Sequence, residues 1–224
     1  MGYANLRNEG TFPTFSGLPE DDGIDLSFYD TADGFSYTPR KHWCFLAEII
    51  DIEKLIRVLL IVRDKAGATM RVAFYTDGRG TELAPSKLQI GHTIAILYAH
   101  QHGFLDGTTG IRQEESCAVK VIPMALADLL QVSDRVHQYS TELDGKRTCH
   151  GCDEKKTSLQ KCGKCSLFSY CDKSCQAVGW NDRGHKRDCK IVRDKDLQAM
   201  FLLEWDHFES PTKFPLPDTT TIRG

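Results

Sequence analysis

The stretch Cys149-His-Gly-Cys152-Asp-Glu-Lys-Lys-Thr-Ser-Leu-Gln-Lys-Cys162-Gly-Lys-Cys165-Ser-Leu-Phe-Ser-Tyr170-Cys171-Asp-Lys-Ser-Cys175-Gln-Ala-Val-Gly-Trp180-Asn-Asp-Arg-Gly-His185-Lys-Arg-Asp-Cys189 decides how the chain is read. Its 41 residues hold seven of the nine cysteines, spaced as Cys149-x2-Cys152, Cys162-x2-Cys165, Cys171-x3-Cys175 and His185-x3-Cys189. Two ligands a few residues apart turn back onto one metal, and a tetrahedral zinc takes four thiolates or imidazoles. Eight soft ligands therefore make two zinc sites. Eight ligands in eight coordination positions leave no place for a catalytic water, so both ions are expected to be structural. A segment this short buries too little apolar surface to fold alone, and metal binding supplies the missing free energy.

Sequence order alone permits more than one assignment of ligand pairs to metals. The ligand order, with Tyr170 before Cys171, Gln176 after Cys175, Trp180 and the pair His185-Lys186, resembles the MYND-type zinc finger. The resemblance implies an interleaved scheme: Cys149, Cys152, Cys171 and Cys175 on one zinc, and Cys162, Cys165, His185 and Cys189 on the other. Nine residues separate Cys175 from His185, about two more than that family usually has. His150 is the competing imidazole, but it sits between two ligands and makes a poor fourth ligand to either metal. The family's fingers are protein-interaction modules, some of which take proline-containing peptides. The matching positions are Gln176 and Trp180, four apart and so on one face of a helix. An exposed Trp ring packs on a pyrrolidine while the amide bonds peptide backbone. Trp180 reads equally as a core residue of the second knuckle, and Tyr170 as a residue packed between the sites. Where the family often has a polar residue after the third cysteine, this chain has Gly163.

Outward from the finger, the character changes in both directions. Residues 1–40 are rich in Gly, Pro, Asp, Ser and Thr with scattered aromatics, and read as an irregular arm. Residues 41–139 form a second domain with apolar, β-branched runs at about 43–52, 56–64, 69–76, 92–100 and 117–122. Lys65-Ala66-Gly67 makes a hairpin turn, and residues 81–88 leave room for one or two helical turns between the third and fourth strands. Five strands with that link resemble the oligonucleotide/oligosaccharide-binding (OB) barrel, so the fold class is a mainly β, OB-like barrel plus a small zinc-stabilised module. From Pro123, Leu126, Leu129, Leu130 and Val136 recur at helical spacing to about Tyr139. Residues 140–148 read as a linker. Residues 190–224 give an amphipathic helix over about 191–208 that docks on the barrel or the finger, then a tail with Pro211, Pro215 and Pro217. Its Phe214-Pro215-Leu216-Pro217 resembles the peptides such fingers take, which suggests self-occlusion or dimerisation.

An OB-like barrel can bind single strands by stacking bases in a basic groove. Strand alternation puts Val72 and Phe74 on the core face of the third strand, leaving only Arg71 and Tyr75 as an outward pair. That is too little for a stacking platform. His92, His100 and His102 read as surface or locally bonded histidines, and Cys44 and Cys117 as buried free thiols.

Composition is that of an ordinary folded domain, with 41% apolar and 26% charged residues and no apolar run near the ~20 residues of a spanning helix. No membrane partner is expected. Met1 to Asn5 lack the basic start and apolar core of a secretory leader, and the Cys-x2-Cys pairs favour metal over disulfides, so a reducing compartment, cytoplasm or nucleus, is expected. Thr141–Lys195 carry 13 Lys and Arg against 8 Asp and Glu, but seven thiolates and two zinc ions reduce that +5 to about +2. No basic nucleic-acid footprint follows. A nucleophile elbow, a phosphate loop and an Asn-His-x-Cys-like cofactor segment are all missing, so the chain reads as a non-enzymatic adaptor docking a protein partner with an extended, Pro-rich segment. Single-stranded nucleic-acid binding through the barrel is the alternative.

Overall fold

The computed structural model describes residues 2–83 and 86–217. Their elements run, in chain order, β1 (Tyr29–Thr31), β2 (Tyr37–Pro39), β3 (Cys44–Lys54), β4 (Val58–Asp64), β5 (Thr69–Phe74), β6 (Thr93–Leu97), β7 (His102–Gly103), β8 (Thr109–Gln113), β9 (Val119–Ile122), α1 (Leu126–Ser140), β10 (Arg147–Thr148), β11 (Lys155–Lys156), β12 (Gln160–Lys161), β13 (Ser169–Tyr170), α2 (Lys173–Asn181), α3 (His185–Val192) and α4 (Lys195–Leu202). They form two compact units. One holds the residues up to Leu6, Leu130–Leu203 and the tail from Pro215, and the other holds Arg7–Leu129 and Glu204–Phe214.

The larger unit is the barrel. β-branched and aromatic runs give a seven-stranded sheet in the order β7-β8-β5-β4-β3-β6-β9. β8 stands towards one end of that order and β9 at the other, yet only residues 114–118 lie between them in the chain. The sheet therefore closes. β8 pairs parallel to β5 and β9 pairs antiparallel to β6, so the two act as one fifth strand interrupted by the 3-10 turn Ser116–Ala118. That strand was expected only from 117. Thr109-Gly-Ile-Arg-Gln113 is short and follows a glycine-bearing turn, which hides its period. The core is filled by alternate side chains, among them Phe45, Leu60, Val72, Phe74 and Ile94, all fully buried.

Several expectations are corrected here. The arm is not irregular throughout: β1 and β2 pair antiparallel, and Phe28 packs edge-on to Trp43 at 5.0 Å. The expected segments run 1–40, 41–139, 140–148, 149–189 and 190–224, and the two compact units divide inside α1, at Leu129/Leu130. Residues 2–6 join the zinc-finger unit because backbone groups find partners there: Leu6 N–H donates to Ser133 Oγ at 2.9 Å, and Ala4 N–H to the Phe201 carbonyl at 2.9 Å. The helix expected over 191–208 is two helices, since Asp194 caps a new start by accepting from Leu197 N–H at 3.1 Å. After Leu202 the chain leaves helix, and residues 204–214 belong to the barrel unit, where Trp205 packs on Phe12 at 4.7 Å. Cys117 is half-buried rather than buried. The helical link expected over 81–88 includes Ala84 and Pro85, which lie outside the described residues, and its flanks form turns.

Closure depends on a close backbone approach. Gly110 pairs with Arg71 across the β5–β8 seam, and a Cβ there would lie 2.4 Å from the Arg71 carbonyl oxygen. Gly110→Ala is expected to lower unfolding free energy by about 1–3 kcal/mol in chemical denaturation, the cost of forcing atoms into a packed seam. Unchanged stability would show that the seam is open.

Candidate functional site

The zinc-finger unit brings the eight ligand atoms together in two groups. Cys149, Cys152, Cys171 and Cys175 lie with their Sγ atoms within 4.8 Å of one another, and the ligand atoms of Cys162, Cys165, His185 and Cys189 do the same. A tetrahedron with Zn–S of about 2.3 Å has sulfur–sulfur edges of roughly 3.8 Å, and a mixed S–N edge near 3.5 Å. Cys152 and Cys171 are 3.7 Å apart, Cys162 and Cys189 4.0 Å, and Cys165 Sγ to His185 Nε2 3.4 Å. These spacings fit zinc. His150 is absent from both groups. It is buried, with its ring 4.4 Å from Tyr139 and 4.6 Å from Phe168, so it serves as core.

Local structure explains why these residues converge. The first knuckle turns at Gly151, where a Cβ would meet the Cys175 carbonyl oxygen at 2.3 Å, so only glycine lets the two ligand pairs approach. Asp172 caps α2 by accepting from Cys175 N–H at 2.8 Å, which fixes Cys175 in the first helical turn. The long spacer before His185 is the rest of α2 and the turn 182–184, with Gly184 at φ 77°. α3 then starts at His185 and carries His185 and Cys189 one turn apart on one face.

The second site is fully buried and the first is partly exposed. Burial raises the Cys149 thiol pKa, but the N–H groups of Cys152, Gly151 and Cys171 outweigh it and bring the value to about 7. Cys162 falls to about 3, chiefly through a hydrogen bond from Cys165, whose own pKa rises in the exchange. Cys44, by contrast, is driven up by burial and is inert. Around the second site, Tyr170 Oη bonds His185 Nδ1, leaving Nε2 to face Cys165. A neutral imidazole that ligates through Nε2 carries its proton on Nδ1, and the tyrosine oxygen accepts it. The finger is braced by its own unit: Arg135 on α1 makes a bidentate pair with buried Asp188 at 2.6 and 2.8 Å, and Gln198 Nε2 donates to the Cys165 carbonyl at 2.5 Å.

Gln176 and Trp180 lie on α2, both half-buried. The Trp180 ring stands edge-on to His185 at 5.4 Å, with Lys164 Nζ 5.3 Å over its face. The tail is tethered within the same unit, with Leu216 buried and its N–H donating to Asp196 of α4 at 2.7 Å.

On the barrel, a groove of about 700 Å³ opens over β4, β5 and β8, between the β3–β4 turn and the β7–β8 loop. Arg71 and Tyr75 both line it, as does Arg112. The three histidines have local partners: His92 bonds the Lys87 carbonyl, His100 bonds Tyr29, and His102 bonds Asp21.

Residues 149–189 match the MYND finger family. Over 47 residues the chain is 40% identical to SET domain and MYND-type zinc finger protein 6 of Schizosaccharomyces pombe, covering 21% of this chain and 9% of that protein. Human histone-lysine N-methyltransferase SMYD1 is 36% identical over 45 residues, covering 20% of this chain and 9% of that enzyme. The chain thus spans about a tenth of the length of the relatives it matches. The structure of S. pombe Pot1pC bound to single-stranded DNA is similar at a TM-score of 0.30 and 10% identity, covering 45% of this chain and 93% of that one.

Removing zinc is expected to unfold residues 149–189 and spare the barrel. A strong chelator, or Cys171→Ala, should open the finger to limited proteolysis while the β-sheet circular-dichroism signal persists; a finger that stays protected would overturn the structural role. Tyr170→Phe should weaken zinc roughly tenfold in a chelator competition, because His185 loses its orienting partner.

Proposed function

We propose that this chain is a non-enzymatic adaptor whose zinc-dependent finger docks an extended segment of a partner protein on the α2 face bearing Gln176 and Trp180. The observation that carries the reading is a pair of saturated ligand sets beside a half-exposed Trp one helical turn from a polar amide. Metals enclosed in this way hold shape and leave recognition to the surface. An indole partly open to solvent, with one edge packed on His185, is a rigid anchor of the sort that dominates interface energetics. The part of the ring left open to solvent, beside Lys164, and the amide next to it suit a proline-containing strand. The tail does not supply that strand in the described residues, since Leu216 is held at α4 by Asp196. Ligand sets that fill every coordination position leave no metal site open for chemistry, which supports the non-enzymatic part, and cysteines grouped as metal ligands support a reducing, intracellular setting.

The test is an array of proline-rich peptides probed with zinc-loaded protein. Peptides held by wild type should bind Trp180→Ala and Gln176→Ala about tenfold more weakly, with zinc content unchanged. Equal binding by both variants would remove the proposed site. Loss of zinc from Trp180→Ala with Gln176→Ala unaffected would make Trp180 a structural residue.

A further inference from the structure

The barrel groove carries an inference that does not depend on the finger. Its floor is a set of guanidinium groups held flat against aromatic rings. Arg57 lies 3.7 Å over the Tyr75 ring and Arg112 4.5 Å from the same centroid, while Arg71 stacks 3.7 Å over Phe104. Arg71 is neutralised by a bidentate pair with Asp106 at 2.8 Å, and Arg112 by Glu114 at 2.6 Å. Arg57 donates to the Phe74 carbonyl at 3.4 Å and meets no carboxylate among the described residues. It is therefore a preorganised cation with free N–H donors. On either side of the groove, the turn and the loop that bound it present bare aliphatic side chains: Leu55 is 91% exposed, Ile56 74%, and Leu105 fully exposed. Three apolar tips facing one groove are not scattered surface residues.

This chemistry selects its occupant. A single-stranded nucleic acid needs open ring faces for its bases and unpaired cations for its phosphates. Here guanidinium groups already lie over Tyr75 and Phe104, and two of three arginines are already paired. The barrel unit as a whole also carries 13 Lys and Arg against 20 Asp and Glu, a net −7, so it offers no surplus of cations to track a row of phosphates. A peptide offering one carboxylate to Arg57 and aliphatic side chains to Leu55, Ile56 and Leu105 meets each feature. We infer that the groove is a second docking site, for a segment of a partner protein in which an aspartate or glutamate is flanked by leucine, isoleucine or valine.

A random-peptide display library selected on the full-length, zinc-loaded protein tests this. Peptides enriched over a parallel selection on Arg57→Glu, which subtracts any ligands of the finger, are expected to share the acidic residue with aliphatic neighbours. Resynthesised and measured by fluorescence anisotropy, they should bind Arg57→Glu and Leu105→Asp at least roughly tenfold more weakly and Trp180→Ala unchanged. Leu105 sits on an exposed loop, so its variant reports the site even where Arg57→Glu perturbs the barrel. Three results overturn the proposal: no sequence enriched over a parallel selection on Arg57→Glu, enriched peptides without an acidic residue or indifferent to both barrel variants, or tight, salt-sensitive binding of a mixed-sequence single-stranded oligonucleotide that Arg57→Glu abolishes. The finger's own peptide binding is untouched by any of these outcomes.

Discussion

Two tetrahedra have to close on eight side chains from one 41-residue segment, and almost every local feature of the finger unit follows from that requirement. Each metal set draws on two pairs separated by the other set's ligands, so the chain must pass between the sites and return. Gly151 gives room for the crossing, Asp172 fixes where α2 begins, and α2 with its turn spans the gap to His185. What fills the space between the sites is aromatic: His150, Phe168 and Tyr170 are buried together, with His150 4.6 Å from Phe168. These rings cannot supply a core alone, and coordination energy makes up the difference.

The bracing around the finger follows a second rule, that buried polar groups need partners. Asp188 precedes the last ligand and is almost wholly shielded, so its charge has to be met, and Arg135 meets it with two hydrogen bonds. Such a pair adds little net stability over an apolar substitute, but removing one partner leaves an uncompensated charge. Its effect is to fix the register of α1 against α3. The same reasoning explains residues 2–6, whose backbone N–H groups are satisfied by Ser140, Ser133 and the Phe201 carbonyl.

The ligand residues were legible in the sequence because metal chemistry admits so few side-chain types at so few spacings. The first four strands were legible because their β-branched and apolar runs are long enough to show a period, and burial of Val72 and Phe74 with Arg71 and Tyr75 turned towards the groove follows the expected alternation. Features built from backbone bonding left no such mark. Residues 2–6 carry no composition that points to α1 and α4, and β8 is five residues beside a glycine-bearing turn. The C-terminal segment is divided between the two units by a few contacts each: Trp205 on Phe12, Phe208 on His42 and the Phe214 N–H on the Cys117 carbonyl for one, and the Leu216 N–H on Asp196 for the other. The groove did have a signal: Leu55, Ile56 and Leu105 are aliphatic residues in turns, where polar residues are the rule.

Charge separates the two units further. The barrel unit carries −7, whereas the finger segment with its flanks carries +5 before thiolates and metal are counted and about +2 afterwards. Neither value gives a strong long-range field, and surface charges are screened within about 8–10 Å at physiological salt. Specificity in this protein must therefore come from short-range geometry. On the finger the geometry we propose for it is a ring and an amide one helical turn apart. On the barrel it is a guanidinium whose position is set by the Tyr75 ring beneath it, so that little side-chain entropy is lost when a carboxylate arrives. The rings of the barrel thus act by holding cations in place, and Tyr75, one of an outward pair too small for a stacking platform, becomes part of the rigid donor site proposed for a negatively charged side chain.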